Sequence, residues 1–160
     1  MKIDLTFEKI SNKNFDEFLF LVEKLAEYEK LDSPNKQAKL RLKRDGLSRD
    51  PKYEAYLTKI DNKYIGYIIY FMTYSSFLAL PTLYIEDIFL LKKYRGEGFG
   101  QKMFNLCVKK AKEKNCGRIE FCVLHWNKPA IDFYEKNNAK PLKEWLYYRL
   151  EKDSIDSFSE

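Results

Sequence analysis

The chain has 160 residues, of which 45% are hydrophobic, and it carries a formal net charge of +5. This length suits a single domain with its own core, and the apolar content excludes an intrinsically disordered chain. No apolar run approaches the roughly 20 residues of a membrane-spanning helix, and Met1-Lys2-Ile3-Asp4 begins no signal peptide. We therefore expect a cytoplasmic protein with no membrane partner.

The predicted elements follow from two hydrophobic periods, alternation in strands and three-to-four spacing in helices. Ser33 and Pro34 predict the start of the second helix, with Ser33 as its N-cap, and Gly46 predicts its end. Asp61-Asn62-Lys63 predicts a hairpin turn. In chain order we predict a strand at 3–7, helices at 15–30 and 33–46, strands at 53–60, 64–74 and 82–91, a helix at 100–114, a strand at 118–124, a helix at 128–136 and a last strand at 145–151.

The order of these elements predicts an α/β (α+β) fold. The hairpin is antiparallel, while the strand-helix-strand portion at 82–124 needs a parallel crossover. The sheet is therefore expected to be mixed and mostly antiparallel, with helices on both faces. We predict one domain spanning 1–160, with a polar, frayed tail from about residue 153.

Charge and cysteine usage exclude two further kinds of site. Basic and acidic residues are interleaved, and the densest basic run, at 36–44, is interpreted as the solvated face of a helix. Nucleic acid is therefore not the expected partner. Cys107, Cys116 and Cys122 are odd in number and lack Cys-x-x-Cys spacing, so neither a disulfide framework nor a metal site is predicted.

A glycine-rich turn, Tyr94-Arg95-Gly96-Glu97-Gly98-Phe99-Gly100, stands between an apolar strand and a helix. Glycines let backbone N–H groups approach a ligand closely, and the helix N-terminus adds free donors and partial positive charge, so this order is typical of phosphate binding. The spacing matches neither the nucleoside triphosphate loop nor the dinucleotide fingerprint. From these residues alone, an ordinary connecting loop stays an equal alternative.

The pattern formed by Arg95, Gly98 and Gly100 resembles the acetyl-CoA pyrophosphate loop of the GNAT superfamily of N-acetyltransferases. The block from Trp126 to Lys136 resembles the "WN-x-P-A-x-x-F-Y" helix of that superfamily. Three further segments, at 25–29, 70–74 and 83–89, resemble its diamine (spermidine/spermine) acetyltransferase branch. The resemblance runs from residue 3 to about residue 150 and implies the acyl-CoA N-acyltransferase fold, in which two neighbouring parallel strands part to admit the coenzyme.

The resemblance also implies a coenzyme site for acetyl-CoA as co-substrate. Main-chain groups of the strand end would pair with pantetheine, and the glycine-rich turn would hold the pyrophosphate. The implied coenzyme-binding residues are Ile88, Phe89, Leu90, Arg95, Gly96, Glu97, Gly98, Phe99, Gly100, Gln101, Asn127, Ala130 and Tyr134.

Acetylation of an amine needs a base, because an alkylammonium group with a pKa of about 10 is protonated at neutral pH. Glu86 and Asp87 are adjacent on a predicted strand, so regular pleating sends them to opposite faces unless a bulge intervenes. The resemblance favours Glu86 as the carboxylate that faces the amine, and Asp87 is interpreted as a hydrogen-bonding residue. By the same resemblance, Tyr134 is the general acid for the leaving thiolate.

Acceptor contacts carried over from the diamine branch are Tyr28, Glu29, Glu86 and Glu144. The chain departs from that branch at Ser75, where an acidic residue is usual, so a short diamine or a thialysine-like amino acid becomes as reasonable an acceptor as a polyamine. His125, the single histidine, is interpreted as a structural hydrogen-bonding residue. The branch forms homodimers, so a homodimer is expected.

We predict an acetyl-CoA-dependent N-acetyltransferase that acts on a small cationic amine. The alternatives are an acetyltransferase for protein N-termini or lysines, and a non-catalytic acyl-CoA-binding module. The presence of both Glu86 and Tyr134 argues against the second alternative.

Overall fold

The computed structural model describes residues 5–158. Those up to Cys122 form one compact unit, and those from Val123 onwards form a second. The strands are β1 Leu5–Lys9, β2 Glu54–Ile60, β3 Lys63–Ser75, β4 Leu80–Leu90 and β5 Arg118–Phe121. The helices are α1 Phe15–Glu29, α2 Lys36–Gly46, α3 Phe99–Glu113, α4 Lys128–Lys136 and α5 Lys152–Asp156, with a short 3₁₀ turn at Lys92–Tyr94.

The first unit contains a five-stranded sheet in the order β1-β2-β3-β4-β5. The first three pairings are antiparallel, and only β4 and β5 run parallel. The predicted mixed, mostly antiparallel sheet is therefore confirmed. The connection between the parallel strands contains α3, as a parallel crossover requires.

Helices pack on both faces of this sheet. On one face, the fully buried Phe18 of α1 lies edge-on to Tyr67 of β3, with 5.2 Å between ring centroids. On the other face, Phe104 of α3 lies edge-on to Phe121 of β5, and Lys110 lies 5.5 Å from the ring of Tyr56. Burial of each large apolar side chain contributes about 1.5 to 3 kcal/mol, so these contacts fix both helices against the sheet.

The two turn predictions have different outcomes. Asp61 and Asn62 both adopt left-handed φ angles, of 45° and 68°, which is how a tight two-residue hairpin turn is built. The N-cap of α2, however, is Asn35 and not Ser33, because the Asn35 side chain accepts a hydrogen bond from the N–H of Ala38. Asn caps helices as well as Ser does, and it stands directly before the first helical residue.

The predicted last strand at 145–151 is wrong. Residues 145–150 are exposed and enter no ladder with the strands that the structure describes. The prediction rested on the β-propensity of Trp145, Tyr147 and Tyr148, and propensity reflects how well a side chain fits a paired, half-buried surface. Without a pairing strand there is nothing for that preference to stabilise. The predicted frayed tail is also partly helical, since α5 carries an ion pair between Lys152 and Asp156.

Candidate active site

The parallel strands β4 and β5 part within the first unit. Their ladder joins Thr82–Ile85 of β4 to Arg118–Phe121 of β5 and goes no further. From Asp87 to Leu90, β4 pairs with β3 alone. Main-chain groups on the β5-facing edge of this stretch therefore lack a strand partner, and the predicted pantetheine-binding residues Ile88, Phe89 and Leu90 lie here.

A β-bulge at Glu86 changes the direction of the neighbouring side chains. Ile69 of β3 pairs with Asp87, but the next residue, Tyr70, pairs with Ile85, so Glu86 has no partner across the ladder. The extra residue shifts the alternation by one position, which brings Asp87 to the same face as Glu86. Both carboxylates consequently lie on the side of the sheet that α1 covers, and the Glu86 side chain is exposed.

Asp87 is held by a buried tyrosine that the sequence analysis did not identify. The hydroxyl of Tyr67, a fully buried residue, donates a hydrogen bond of 2.9 Å to Oδ2 of Asp87. Burial raises the pKa of Asp87 to about 6, and the negative charges of Glu86 and Glu29 act in the same direction against the opposing hydrogen bond. Asp87 thus has the predicted hydrogen-bonding role, and it also titrates close to neutral pH.

The last turn of α1 brings Glu29 to the same side of the sheet. Partial burial raises the pKa of Glu29, and its charge also contributes to the raised pKa values of Asp87 and Tyr67. Glu29, Glu86 and Asp87 therefore share one electrostatic neighbourhood. Such a concentration of carboxylates favours a cationic ligand, because a cation relieves their mutual repulsion.

The glycine-rich turn lies directly after the parted end of β4. Gly96 and Gly98 adopt left-handed φ angles of 87° and 77°, and Gly98 is the N-cap of α3. A Cβ added at Gly96, Gly98 or Gly100 would meet no atom within 4 Å. The space that a side chain would take at these three positions is thus open. The first N–H groups of α3 have no intrahelical acceptor and can bind an anion such as a pyrophosphate.

Arg95, a predicted coenzyme-binding residue, contacts the end of β4 and α1. Its Nε donates a hydrogen bond of 2.9 Å to the carbonyl oxygen of Leu90. Its guanidinium carbon lies 4.5 Å from the ring centroid of Tyr28 and 5.8 Å from that of Phe89. The side chain thus contacts the acceptor residue predicted on α1 as well as the end of β4.

The second unit contains four of the predicted site residues, namely Asn127, Ala130, Tyr134 and Glu144. Asn127 is the N-cap of α4, whose first turn contains Pro129. The carbonyl oxygen of Asn127 accepts hydrogen bonds from the N–H groups of Ala130 and Ile131. Tyr134 is buried, and its ring lies edge-on to that of Phe133 at 5.3 Å. The helix-forming block read from the sequence is therefore confirmed as α4. Glu144 is exposed in a turn outside the helices.

Ser75, where the chain departs from the diamine branch, and His125 lie in turns or at a strand end. Ser75 is buried at the end of β3, and its hydroxyl accepts a hydrogen bond from the N–H of Leu78 in the β3–β4 turn. Ser75 thus shapes a hairpin. His125 is exposed in the turn before α4.

Three further features of residues 5–158 concern metal binding, membrane spanning and cavities. Within residues 5–158, no group of three or more His, Cys, Asp and Glu side chains is arranged to hold a metal ion. No helix in this range is long and apolar enough to cross a membrane. A cavity of about 370 Å³ opens beside Tyr53, Glu54, Tyr70 and Lys114, and its lining includes none of the predicted site residues.

The fold is that of acetyltransferases. An aminoglycoside N-acetyltransferase solved in complex with CoA superposes with a TM-score of 0.77 at 15% identity, over 94% of this chain and 97% of that one. The model of the acetyltransferase (GNAT) family matches residues 15–139. The chain therefore belongs to the GNAT acetyltransferase family and is an N-acetyltransferase.

Two relatives indicate where in the family it lies. A thialysine N-epsilon-acetyltransferase from Bos taurus is 32% identical over 148 residues, which cover 86% of this chain and 86% of that protein. An L-ornithine N5-acetyltransferase from Arabidopsis thaliana is 39% identical over 110 residues, or 68% of this chain, and the match spans only 48% of that protein. The predicted likeness to the diamine acetyltransferase branch is confirmed.

Proposed function

We propose that this protein transfers the acetyl group of acetyl-CoA to the side-chain amine of a small cationic amino acid or short diamine. The observation that carries the proposal is the end of β4. There, an unpaired strand edge leads directly into a glycine cradle, and the carboxyl groups of Glu29, Glu86 and Asp87 influence one another. An anionic coenzyme and a cationic acceptor each find complementary groups there.

Acetyl-CoA fits the groups on this edge. Its pantetheine amides would pair with the main chain of Ile88 to Leu90, which β5 leaves without a partner. Its pyrophosphate would accept from the N–H groups that follow Gly96, where no side chain occupies the space. Asn127 and Ala130, at the start of α4, remain proposed coenzyme contacts by their likeness to the family block.

The reaction we propose is a direct attack in a ternary complex. Glu86, directly or through a water molecule, takes a proton from the ammonium group, and the neutral amine attacks the thioester carbon. The new C–N bond forms as the C–S bond breaks, and Tyr134 gives its phenolic proton to the departing thiolate. The acylated nitrogen then loses its extra proton, which returns through solvent to the Tyr134 phenolate. Glu29, Asp87 and Tyr28 bind the acceptor, and Glu144 remains a proposed contact of the same kind.

The acceptor class rests on charge and on the two relatives. The relatives are named for ornithine and thialysine, each of which carries a side-chain amine. Ser75 stands where the diamine branch has a carboxylate, and its hydroxyl stabilises the β3–β4 turn. The loss of this carboxylate reduces the negative charge available to bind a long polyamine. We therefore propose thialysine, ornithine and short diamines ahead of spermine.

A thiol-release assay with acetyl-CoA tests the proposal. The panel should contain thialysine, ornithine, lysine, putrescine, spermidine and peptides with free N-termini. We expect the highest kcat/KM with thialysine or ornithine. Preferential turnover of the peptides contradicts the acceptor class, and thiol release with no member of the panel contradicts the small-amine function.

Three broader expectations also remain proposals. The first is that the chain acts as one N-acetyltransferase domain, and the second is a cytoplasmic location. The third is a homodimer, supported by the exposure of Tyr147, Tyr148 and Leu150 near the end of the chain. Light scattering should give about twice 19.2 kDa at micromolar concentration, and a monomer there contradicts the third.

A further inference from the structure

The side chain of Arg95 contacts both a predicted acceptor-binding residue and a predicted coenzyme-binding residue. It stands in the glycine-rich turn, yet its guanidinium group contacts the rings of Tyr28 on α1 and Phe89 on β4. Its Nε donates to the carbonyl oxygen of Leu90, the last residue of β4. The planar group is thus fixed by a directional hydrogen bond and by ring contacts with two different elements.

These contacts suit arginine alone among the basic residues. A guanidinium group stacks on aromatic faces while its Nε remains a donor, whereas the ammonium group of lysine is a compact point charge without that geometry. The Tyr28 contact, at 4.5 Å, is well within the range of a cation–π interaction. Since Tyr28 is half-buried at the end of α1, this contact limits where its ring can lie.

We infer that Arg95 is a positioning residue for the amine acceptor, which fixes Tyr28 against the end of β4, and that the backbone of the glycine turn binds the coenzyme phosphates. The inference rests on the proposed function, because it assigns Tyr28 to the acceptor site. It predicts that loss of Arg95 weakens the use of the amine far more than the binding of coenzyme A.

The decisive variant is Arg95→Lys, which keeps the charge and removes the fixed stacking geometry. With thialysine as the amine, its KM should rise about tenfold, the combined scale of losing an exposed cation–π contact and a hydrogen bond. The dissociation constant of coenzyme A, measured by calorimetry, should stay within about threefold of the wild-type value. Intact coenzyme A binding also demonstrates that the variant is folded.

Double variants separate positioning from a direct role. In the Tyr28→Leu background, Arg95→Lys should raise the thialysine KM by less than about twofold, because the ring it positions is gone. In the Tyr28→Phe background, which keeps the ring, the full effect of Arg95→Lys should remain. Arg44→Lys, an exchange of the same kind on the exposed surface of α2, is the matched control and should change neither constant.

Two outcomes overturn the inference. A loss of coenzyme A affinity in Arg95→Lys that equals or exceeds the rise in amine KM makes Arg95 a phosphate ligand. Additive effects of Arg95→Lys and Tyr28→Leu show that Arg95 does not act through Tyr28. By contrast, a wild-type protein that binds no coenzyme A contradicts the proposed function itself, before any variant is compared.

Discussion

The two halves of β4 use the same backbone in different ways. From Thr82 to Ile85 the strand pairs with β3 on one side and β5 on the other, and Thr82, Leu83 and Ile85 are buried. From Asp87 to Leu90 it pairs with β3 alone, and the exposed Glu86 stands unpaired between the halves. The first half satisfies its polar groups within the sheet. In the second half, we propose that some of these groups pair with the coenzyme.

This difference predicts a division between stability and activity. Substitutions in the fully paired half should lower the free energy of unfolding and leave the kinetics alone. Substitutions in the open half should change the kinetics and leave the free energy of unfolding nearly unchanged or higher.

The largest effect is expected at Glu86. Glu86→Gln keeps the shape of the side chain and removes its charge, so kcat/KM for thialysine should fall by about 100- to 1000-fold at neutral pH. Higher pH should restore part of the rate, because more of the amine is then already neutral. Steady-state kinetics from pH 7 to pH 9.5 measure both effects.

Thr82→Val is the matched substitution in the paired half. It removes the Thr82 Oγ1 acceptor of the 3.1 Å hydrogen bond from Nε of Arg118. Because that Nε also lies 2.9 Å from Oε1 of Glu120, the free energy of unfolding should fall by only about 0.5 to 1 kcal/mol. The kcat/KM should remain within about twofold of the wild-type value. Equal losses of activity in Thr82→Val and Glu86→Gln would remove the contrast between the two halves.

Tyr134→Phe should respond to pH in a different way. The variant keeps the ring and loses the proposed acid, so kcat should fall by roughly 10- to 1000-fold. Alkaline pH should not restore kcat. A higher pH removes a proton from the amine, whereas this variant lacks the proton that the thiolate needs. Coenzyme A affinity serves as the control and should be unchanged; a variant with wild-type kcat means that the hydroxyl is not the acid.

The glycine cradle gives the next largest effect. Gly98→Val or Gly100→Val should raise the acetyl-CoA dissociation constant at least about tenfold, because a side chain would fill space that the phosphates need. Gly100 is the cleaner test, since it lacks the left-handed φ of Gly98 and a Cβ there meets no protein atom. Gly100→Ala should give a smaller rise, and unchanged affinity in a folded Gly100→Val protein would reject the cradle.

The sequence predicted several elements that carry the candidate residues, because short-range patterns determine those elements. The glycine turn, α4 and the parallel crossover each follow from residues close together in the chain, and all three are present. The sequence predicted the bulge at Glu86 only as a condition: if the strand bulges, Asp87 can lie on the same face of the sheet as Glu86. Whether a strand bulges depends on its register with β3, which no pattern within β4 contains.

Long-range contacts were beyond the sequence analysis. The hydrogen bond between Tyr67 and Asp87 and the contact between Arg95 and Tyr28 join elements that are distant along the chain. Tyr67 looked like any aromatic residue of a buried strand. The same limit produced the error at 145–151, where aromatic residues predicted a strand although a strand also needs a partner.

The last expected effect is a gain in stability at the open half. Burial raises the pKa of Asp87 to about 6, so between the unfolded pKa of about 4 and this value the folded state binds more protons than the unfolded state. The free energy of unfolding therefore falls as pH rises through that window. Asp87→Asn removes the titration and keeps an acceptor for Tyr67, so at pH 7.5 it should be more stable than the wild type by about 1 to 3 kcal/mol.

Denaturant unfolding at pH 7.5 and pH 4 measures this difference, which should nearly vanish at the lower pH. Asp45→Asn is the control of opposite sign, because the hydrogen bond from Arg44 lowers the pKa of Asp45. That contribution is present at neutral pH and is lost as pH falls through the folded pKa, so Asp45→Asn should not stabilise the protein at pH 7.5. If Asp87→Asn is no more stable than the wild type at pH 7.5, the ionised carboxylate of Asp87 does not destabilise the fold.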